Sequence, residues 1–150
     1  MKALIQRVAE AEVTAHGSKT GKIGTGLLVL LCAVKGDTTK DLDYLVRKVS
    51  NLRIFYDNDG KMNLSLLDIK GEALVISQFT LAARTRKGNR PSFDDAESPG
   101  KAEEMYQSFV KELRDTGVKV ETGVFGADMS VSLINDGPVT VMVDSREEKK

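Results

Sequence analysis

Residues 129–145 read MSVSLINDGPVTVMVDS, two runs that read as β-strands around the letters NDGP. An Asp-Gly pair between two strands usually forms a tight hairpin turn. Here a proline follows the glycine where the returning strand would begin to donate hydrogen bonds, and proline has no N–H to donate. The sequence therefore predicts separate strands near 128–134 and 139–144, and it raises the question of what Gly137 and Pro138 do between them.

Two amphipathic helices are predicted upstream. An apolar stripe with helical spacing follows Thr38, a residue type that caps helices. The stripe consists of Leu42, Leu45, Val46 and Val49. The second helix has a serine N-cap, a proline at its first position and a glycine stop, and its apolar face runs from Ala102 to Leu113. These three boundary residues are Ser98, Pro99 and Gly117.

Strands dominate the rest of the chain, and alternating β-α units are not visible in the pattern. The sequence therefore predicts an α+β fold, a largely antiparallel sheet or barrel with two helices packed outside it. One domain over residues 1–150 is expected from the length, with a polar, frayed tail at 145–150. Further strands are predicted at 2–15, 26–34, 53–56, 73–82 and 118–124, and turns at HGSKTG (16–21) and DNDG (57–60).

Composition excludes several classes of protein. The chain has 22 lysine and arginine residues and 22 aspartate and glutamate residues, so its formal net charge is zero. Net charge therefore cannot hold a polyanion, and any contact with nucleic acid needs a local patch of positive charge. A single cysteine, Cys32, agrees with a reducing compartment. The charged start resembles no signal peptide, and the apolar run Leu27 to Val34 is too short to span a bilayer. A soluble cytoplasmic protein without a membrane partner is expected.

Orthodox catalytic and metal-binding sets are missing from the sequence. The only histidine, His16, lies in a predicted turn, so a zinc site or a Ser-His-Asp triad has little support. Cys32 is flanked by aliphatic residues and is predicted to be a buried, inert thiol. The glycine-rich segment 17–26 departs from the spacing of a phosphate loop, and no glutamate closes a calcium loop after Asp57. No metal and no cofactor are expected.

Two segments retain a functional interpretation. In SQFTLAA (77–83), an apolar strand suddenly offers Ser77, Gln78 and Thr80. These residues alone favour an ordinary strand end, and the alternative is a site with free backbone N–H groups that bind an oxyanion. In ARTRKGNRPSF (83–93), four cationic residues are concentrated. They form either a solvated loop or a patch that contacts phosphates.

Several motifs, in the same order and spacing, resemble the D-aminoacyl-tRNA deacylase family, formerly called D-tyrosyl-tRNA deacylase. The resemblance covers residues 1 to about 144, and four fragments together make it specific. These are SQFTL (77–81), RPSF (90–93), GVFGADMSVSL (123–133) and NDGPVT (135–140), supported by MKALIQRV (1–8) and RIFYDNDGKMNLS (53–65).

The resemblance implies a homodimeric cytoplasmic enzyme that hydrolyses the ester between a D-amino acid, or mischarged glycine, and the 3′ end of tRNA. DNA is not an implied partner. Gly137 and Pro138 would be joined by a cis peptide bond and enter the site of the other subunit, with Arg7 as their brace. Their fixed main chain would collide with the Cβ of an L-residue and admit a D-residue or glycine, so selection would work by exclusion.

The resemblance also implies roles inside the pocket. Phe125 and Met129 would contact the terminal adenosine, and the pocket would be lined by Ser77, Gln78, Phe79 and Thr80. Because the sequence offers no base for a Thr80 or Ser77 nucleophile, we expect the adenosine 2′-hydroxyl to assist attack on the ester. Backbone N–H groups around Phe79 and Thr80 would bind the oxyanion. The rival hypothesis is a non-catalytic RNA-binding module.

Overall fold

The computed structural model describes residues 1–147. It contains eight strands, two α-helices and one short 3-10 helix. In chain order these are β1 (Lys2–Ala15), β2 (Ser18–Ile23), β3 (Gly26–Cys32), α1 (Thr39–Asn51), β4 (Phe55–Tyr56), β5 (Met62–Leu64), β6 (Glu72–Ser77), the 3-10 helix (Phe79–Ala82), α2 (Pro99–Asp115), β7 (Lys119–Thr122) and β8 (Met129–Asp144).

Strand β1 organises the main sheet. It pairs antiparallel with β8 along its length, from Lys2 opposite Asp144 to Ala15 opposite Met129. Its first half also pairs with β3 and its second half with β2, both antiparallel. Strands β3, β6 and β7 continue the sheet through two parallel pairings. Strands β2 and β7 are at opposite ends of the order β2-β1-β3-β6-β7, and they also contact each other. The sheet therefore forms a nearly closed barrel.

The predicted α+β fold, with a barrel-like sheet, two helices and a single domain, is confirmed. The sheet is mixed, since β3–β6 and β6–β7 are parallel while the three pairings of β1 are antiparallel. Each parallel pair is joined by a segment that contains a helix, α1 in one and α2 in the other. Parallel neighbours require such a crossover, and the sequence analysis did not identify these β-α-β connections.

Both helices bury their predicted apolar faces against the sheet. The α1 stripe and the α2 residues Met105, Phe109 and Leu113 belong to one large core. A smaller core inside the barrel contains Val13, Leu74 and other aliphatic residues. Thr38 caps α1 as predicted, and its backbone N–H donates to Asp41 Oδ2 at 2.9 Å, as in a capping box.

The predicted bounds of one turn and one strand were wrong. The turn expected over 16–21 consists of only His16 and Gly17, both with positive φ, and the residues after them form β2. The strand expected over 73–82 ends at Ser77, where the chain enters the 3-10 helix. The apolar run continues past Ser77 without a glycine or proline to mark the change, so the pattern alone does not reveal it.

The two strands expected at 128–134 and 139–144 form the single strand β8. Its pairing with β1 shifts in the middle, where Asn135 lies opposite Val8 and Thr140 lies opposite Gln6. The chain therefore advances five residues along β8 over a stretch where β1 advances only two. The extra residues, Asp136–Val139, bulge out of the ladder and are called the Gly-Pro loop below. No hairpin forms, because both halves of β8 run in one direction along one partner.

The expected fraying of the tail is wrong for its first two residues. Ser145 is buried, accepts a hydrogen bond from the Met1 ammonium at 2.6 Å and donates to Asp41 Oδ1 at 2.8 Å. Arg146 pairs with the buried carboxylate of Asp37 at 3.0 Å. The remainder of that prediction, at 148–150, lies outside the described residues. Among residues 1–147, no helix has the length and apolar character needed to cross a membrane.

The close contact between β3 and β6 at Gly26 leads to a prediction for the free energy of unfolding. A Cβ added to Gly26 would lie 1.8 Å from the carbonyl oxygen of Glu72, where β3 meets β6. The substitution Gly26→Ala should therefore reduce the free energy of unfolding by about 3 kcal/mol or more, because backbone must move. Urea unfolding measures this quantity. In the control Gly24→Ala the new Cβ meets nothing within 4 Å, and a change within about 1 kcal/mol is expected. Equal effects of the two substitutions would contradict the proposed clash.

Candidate functional site

A cavity of about 530 Å³ opens beside the ends of β3 and β6. Five of the nine predicted site residues line it, and they come from two distant segments of the chain. They are Ser77, Gln78, Phe79, Phe125 and Met129. The lining is mainly apolar with a few polar groups, as in most small-ligand sites. The structure thus brings the SQFTL and FGADM motifs together in one site.

The Ser77–Thr80 segment lies where the sheet gives way to the 3-10 helix. The N–H of Gln78 still donates to Leu31 O of the neighbouring strand, at 2.8 Å. Within residues 1–147, the N–H groups of Phe79 and Thr80 donate no hydrogen bond, as is usual for the first residues of a helix. Two backbone donors are therefore available directly after the residues that line the cavity.

Thr80 itself does not line the cavity. Its hydroxyl accepts a hydrogen bond from Gln78 Nε2 at 2.5 Å, and within residues 1–147 no carboxylate or imidazole bonds to it. His16 lies exposed on the β1–β2 turn. A nucleophilic threonine needs an adjacent base, and the described residues provide none that contacts it. No group of three or more His, Cys, Asp or Glu side chains in this part of the chain could hold a metal ion.

Cys32 is buried, as predicted, and it also lies in the cavity wall, which the sequence did not indicate. Its thiol contacts two backbone carbonyl oxygens, Ala33 O at 3.4 Å and Phe79 O at 3.6 Å. Burial is the main cause that raises the pKa of the Cys32 thiol. The neutral thiol is a poor nucleophile, so the side chain acts as packing beneath Phe79.

Tyr106 of α2 forms another part of the wall that sequence reasoning assigned only to the core. Its hydroxyl donates to Val75 O at 2.8 Å, and its ring lies 5.8 Å from the ring of Phe125. Burial raises the pKa of Tyr106 to about 12. The phenol is therefore neutral near pH 7, and its contact helps to fix the position of Phe125.

Phe79 contributes an exposed aromatic ring at the cavity. It is 56% exposed, which is unusual for a phenylalanine. Its ring contacts that of Phe93 edge to face, with centroids 5.1 Å apart. Phe93 belongs to the RPSF motif, so this contact connects the cavity to the base of the cationic segment.

Arg7, Gly137 and Pro138 form a second cluster outside the cavity. The Arg7 side chain is 2% exposed and donates to Asp136 O at 2.9 Å and Ile54 O at 2.7 Å. Its guanidinium also lies over the ring of Tyr56, 4.5 Å from the centroid. Both carbonyl contacts are charge-assisted hydrogen bonds, which are stronger than neutral ones. The contact with Asp136 O, together with an ion pair between Arg7 Nε and Asp136 Oδ2 at 3.7 Å, holds the start of the Gly-Pro loop against β1.

The Gly-Pro loop is rigidly held but faces outward. The Gly137–Pro138 peptide bond is cis, as the resemblance implied, and both residues are exposed. Gly137 has a φ of 138°, and a Cβ there would lie 2.7 Å from Val139 Cγ2 and 3.0 Å from Arg7 Nη2. At the end of the loop, the N–H of Val139 donates to Asn135 Oδ1 at 2.9 Å. Neither loop residue lines the cavity of its own chain.

The chain combines a barrel-like α+β fold, a cavity lined by aromatic residues and a fixed Gly-Pro loop outside that cavity. These features together are typical of one class of protein. The chain belongs to the D-Tyr-tRNA(Tyr) deacylase family, whose model matches residues 4–144.

Curated relatives cover almost the same length. A D-aminoacyl-tRNA deacylase of Paracoccus denitrificans is 57% identical over 147 residues, which span 98% of this chain and 99% of that protein. The D-aminoacyl-tRNA deacylase of Aquifex aeolicus is 54% identical over 147 residues, with the same coverage of the two chains.

Solved structures agree with the fold. A c-Myc DNA Unwinding Element Binding Protein has a TM-score of 0.90 and 44% identity, covering 96% of this chain and 98% of its own. A probable eukaryotic D-amino acid tRNA deacylase has a TM-score of 0.82, covering 95% of this chain and 97% of its own, and at 17% identity this likeness concerns the fold alone.

Proposed function

We propose that this protein hydrolyses the ester bond of D-aminoacyl-tRNA, and of mischarged glycyl-tRNA, releasing free tRNA and the amino acid. The observation that carries the proposal is the cavity, where the SQFTL and FGADM motifs of a deacylase-family chain meet around space for one aminoacyl group and one nucleoside. Phe125 and Met129 contact the terminal adenosine in this proposal, and Ser77, Gln78 and Phe79 surround the aminoacyl ester.

Selection by handedness is assigned to the Gly-Pro loop of a second copy. The loop is exposed, is held by Arg7 and Asn135, and lies outside its own cavity. A homodimer in which each loop enters the partner's cavity completes both sites. There the main chain of Gly137 and Pro138 occupies the space that the Cβ of an L-residue needs. A D-residue directs its side chain elsewhere, and glycine has none, so neither is rejected.

The chemistry is assigned to the substrate and to the backbone. Water attacks the ester carbonyl, the adenosine 2′-hydroxyl assists that attack, and the 3′-oxygen leaves with a proton. The N–H groups of Phe79 and Thr80, which are free within residues 1–147, stabilise the developing oxyanion. A 2′-hydroxyl held beside the carbonyl contributes several kcal/mol through proximity, without a side-chain base. Thr80 then supports the segment through its contact with Gln78.

The proposed partners follow from the same substrate. The protein binds the aminoacylated 3′ end of tRNA in the cytoplasm, with no DNA and no membrane partner and with neither metal nor cofactor. Because the formal net charge is zero, tRNA contact is small and centred on the acceptor end.

An assay with two substrates tests the proposed function. The protein is incubated with D-tyrosyl-tRNA and L-tyrosyl-tRNA, and loss of the ester is followed over time. We expect the L-ester to react at least about a hundredfold more slowly than the D-ester, because a steric clash of about 3 kcal/mol is enough to produce that ratio of rates. Protection of both esters would support the rival RNA-binding module. Equal cleavage of both would contradict the assigned selectivity.

The assignment of catalysis to the 2′-hydroxyl makes a separate prediction. With a tRNA that ends in 2′-deoxyadenosine and is charged on its 3′-oxygen, turnover should fall by about a thousandfold or more. The substitutions Thr80→Ala and Ser77→Ala should each reduce kcat by less than about tenfold, because neither hydroxyl reacts. Single-turnover hydrolysis measures both effects. If Thr80→Ala abolishes turnover and the deoxy substrate still reacts, threonine is the nucleophile instead.

A further inference from the structure

The segment from Arg84 to Arg90, called the basic loop here, concentrates positive charge in a neutral protein. It holds Arg84, Arg86, Lys87 and Arg90 and no acidic residue. The rest of the chain therefore carries 18 cationic residues (22 minus these four) against 22 acidic ones. All four cationic residues are exposed. A local field of this kind attracts a polyanion, even though the net charge of the chain does not.

Within residues 1–147, only Arg84 of the four cationic side chains pairs with a carboxylate. Arg84 forms a two-pronged ion pair with Asp95, and its backbone pairs with Ser92 in both directions, with N···O distances of 2.8 and 3.1 Å. These contacts close the base of the loop. Within residues 1–147, the side chains of Arg86, Lys87 and Arg90 make no hydrogen bond and no ion pair. Three cations are thus held at the end of a closed loop and left available.

Both ends of the basic loop adjoin the cavity. On the N-terminal side lies Phe79, a cavity residue whose ring contacts Phe93 just beyond the loop. On the C-terminal side, Asp95 is followed directly by Ala96 and Glu97, which line the cavity. The loop that carries the available cations is therefore joined on both sides to segments that line the cavity. A nucleic acid whose 3′ end occupies the cavity carries its next phosphates outside the cavity, where a loop joined to its wall can reach them.

We propose that Arg86, Lys87 and Arg90 bind the backbone phosphates of the tRNA acceptor end next to the ester. This inference rests on the proposed function and adds the residues that hold the RNA outside the cavity. Guanidinium groups match the geometry of phosphate oxygens and bind them in a two-pronged manner, while lysine contributes a point charge. Contacts of this kind position the nucleic acid without reading its sequence. They therefore suit an enzyme that acts on the ester at the 3′ end rather than on a particular RNA sequence.

The test uses a triple variant, Arg86→Gln, Lys87→Gln and Arg90→Gln, with two substrates. D-tyrosyl-tRNA carries the phosphates, and D-tyrosyl-adenosine carries the same ester without them. For the variant, kcat/KM on D-tyrosyl-tRNA should fall about tenfold or more at low salt. The slope of its logarithm against log salt, between about 50 and 200 mM, should become shallower by about 2 to 3. On D-tyrosyl-adenosine the change should stay below about twofold, because no phosphate is present.

Two controls make the result specific to charge at this loop. The variant Arg86→Lys and Arg90→Lys keeps the charge and should keep the steep salt dependence. A matched variant that neutralises three exposed lysines outside the cavity lining, Lys40, Lys61 and Lys70, should leave the slope within about 0.5 of wild type. An unchanged slope in the loop variant, or equal losses on both substrates, would overturn the inference. If wild type cleaves neither substrate, the proposed function itself fails.

Discussion

A buried guanidinium is the constraint on which the rest of the site depends. Arg7 lies in the middle of β1 and is 2% exposed, so its charge is stabilised only by what it contacts. Those contacts are the carbonyl oxygens of Asp136 and Ile54, the Asp136 carboxylate at 3.7 Å from Nε, and the ring of Tyr56. If the loop moved away, the charge would lose a partner inside the protein, which costs several kcal/mol. The strand that organises the sheet therefore also fixes the Gly-Pro loop.

The cavity and the Gly-Pro loop are two separate regions, and the proposed function gives each of them its own role. The cavity has aromatic surface, the backbone donors of Phe79 and Thr80 lie at its Ser77–Phe79 wall, and within the described residues no base contacts Thr80. The Gly-Pro loop is fixed yet lies outside that cavity. One part can hold an ester and its nucleoside, and the other can exclude a side chain from a partner's site. In the proposed homodimer neither copy is complete alone. The proposed assignment of the chemistry to the substrate's 2′-hydroxyl and to backbone N–H groups accounts for the lack of an orthodox catalytic set in the sequence.

Local sequence signals predicted where the helices begin. The features that the sequence did not reveal depend on pairing between strands that are far apart in the chain. Caps and apolar spacing are local, so α1 and α2 begin close to Thr38 and Ser98 as predicted. The continuous strand β8 exists because it pairs with β1, more than 100 positions away, and no local pattern records that partner. The polar residues of SQFTL made Ser77 a candidate from the sequence alone, whereas Phe125 and Met129 were expected at the site only through the family resemblance. Cys32 and Tyr106 were missed because buried thiols and phenols in a cavity wall look like core residues in the sequence.

The central claim is that the fixed main chain at Gly137 rejects L-amino acids. The most direct measurement is the ratio of kcat/KM for D-tyrosyl-tRNA over L-tyrosyl-tRNA in Gly137→Ala, compared with wild type and with Gly24→Ala. An alanine at 137 meets Val139 and Arg7 and must adopt a φ that L-residues rarely allow, so the loop has to shift. The account predicts that the ratio falls about tenfold or more in a variant that remains folded by circular dichroism. A folded variant with the wild-type ratio would contradict it.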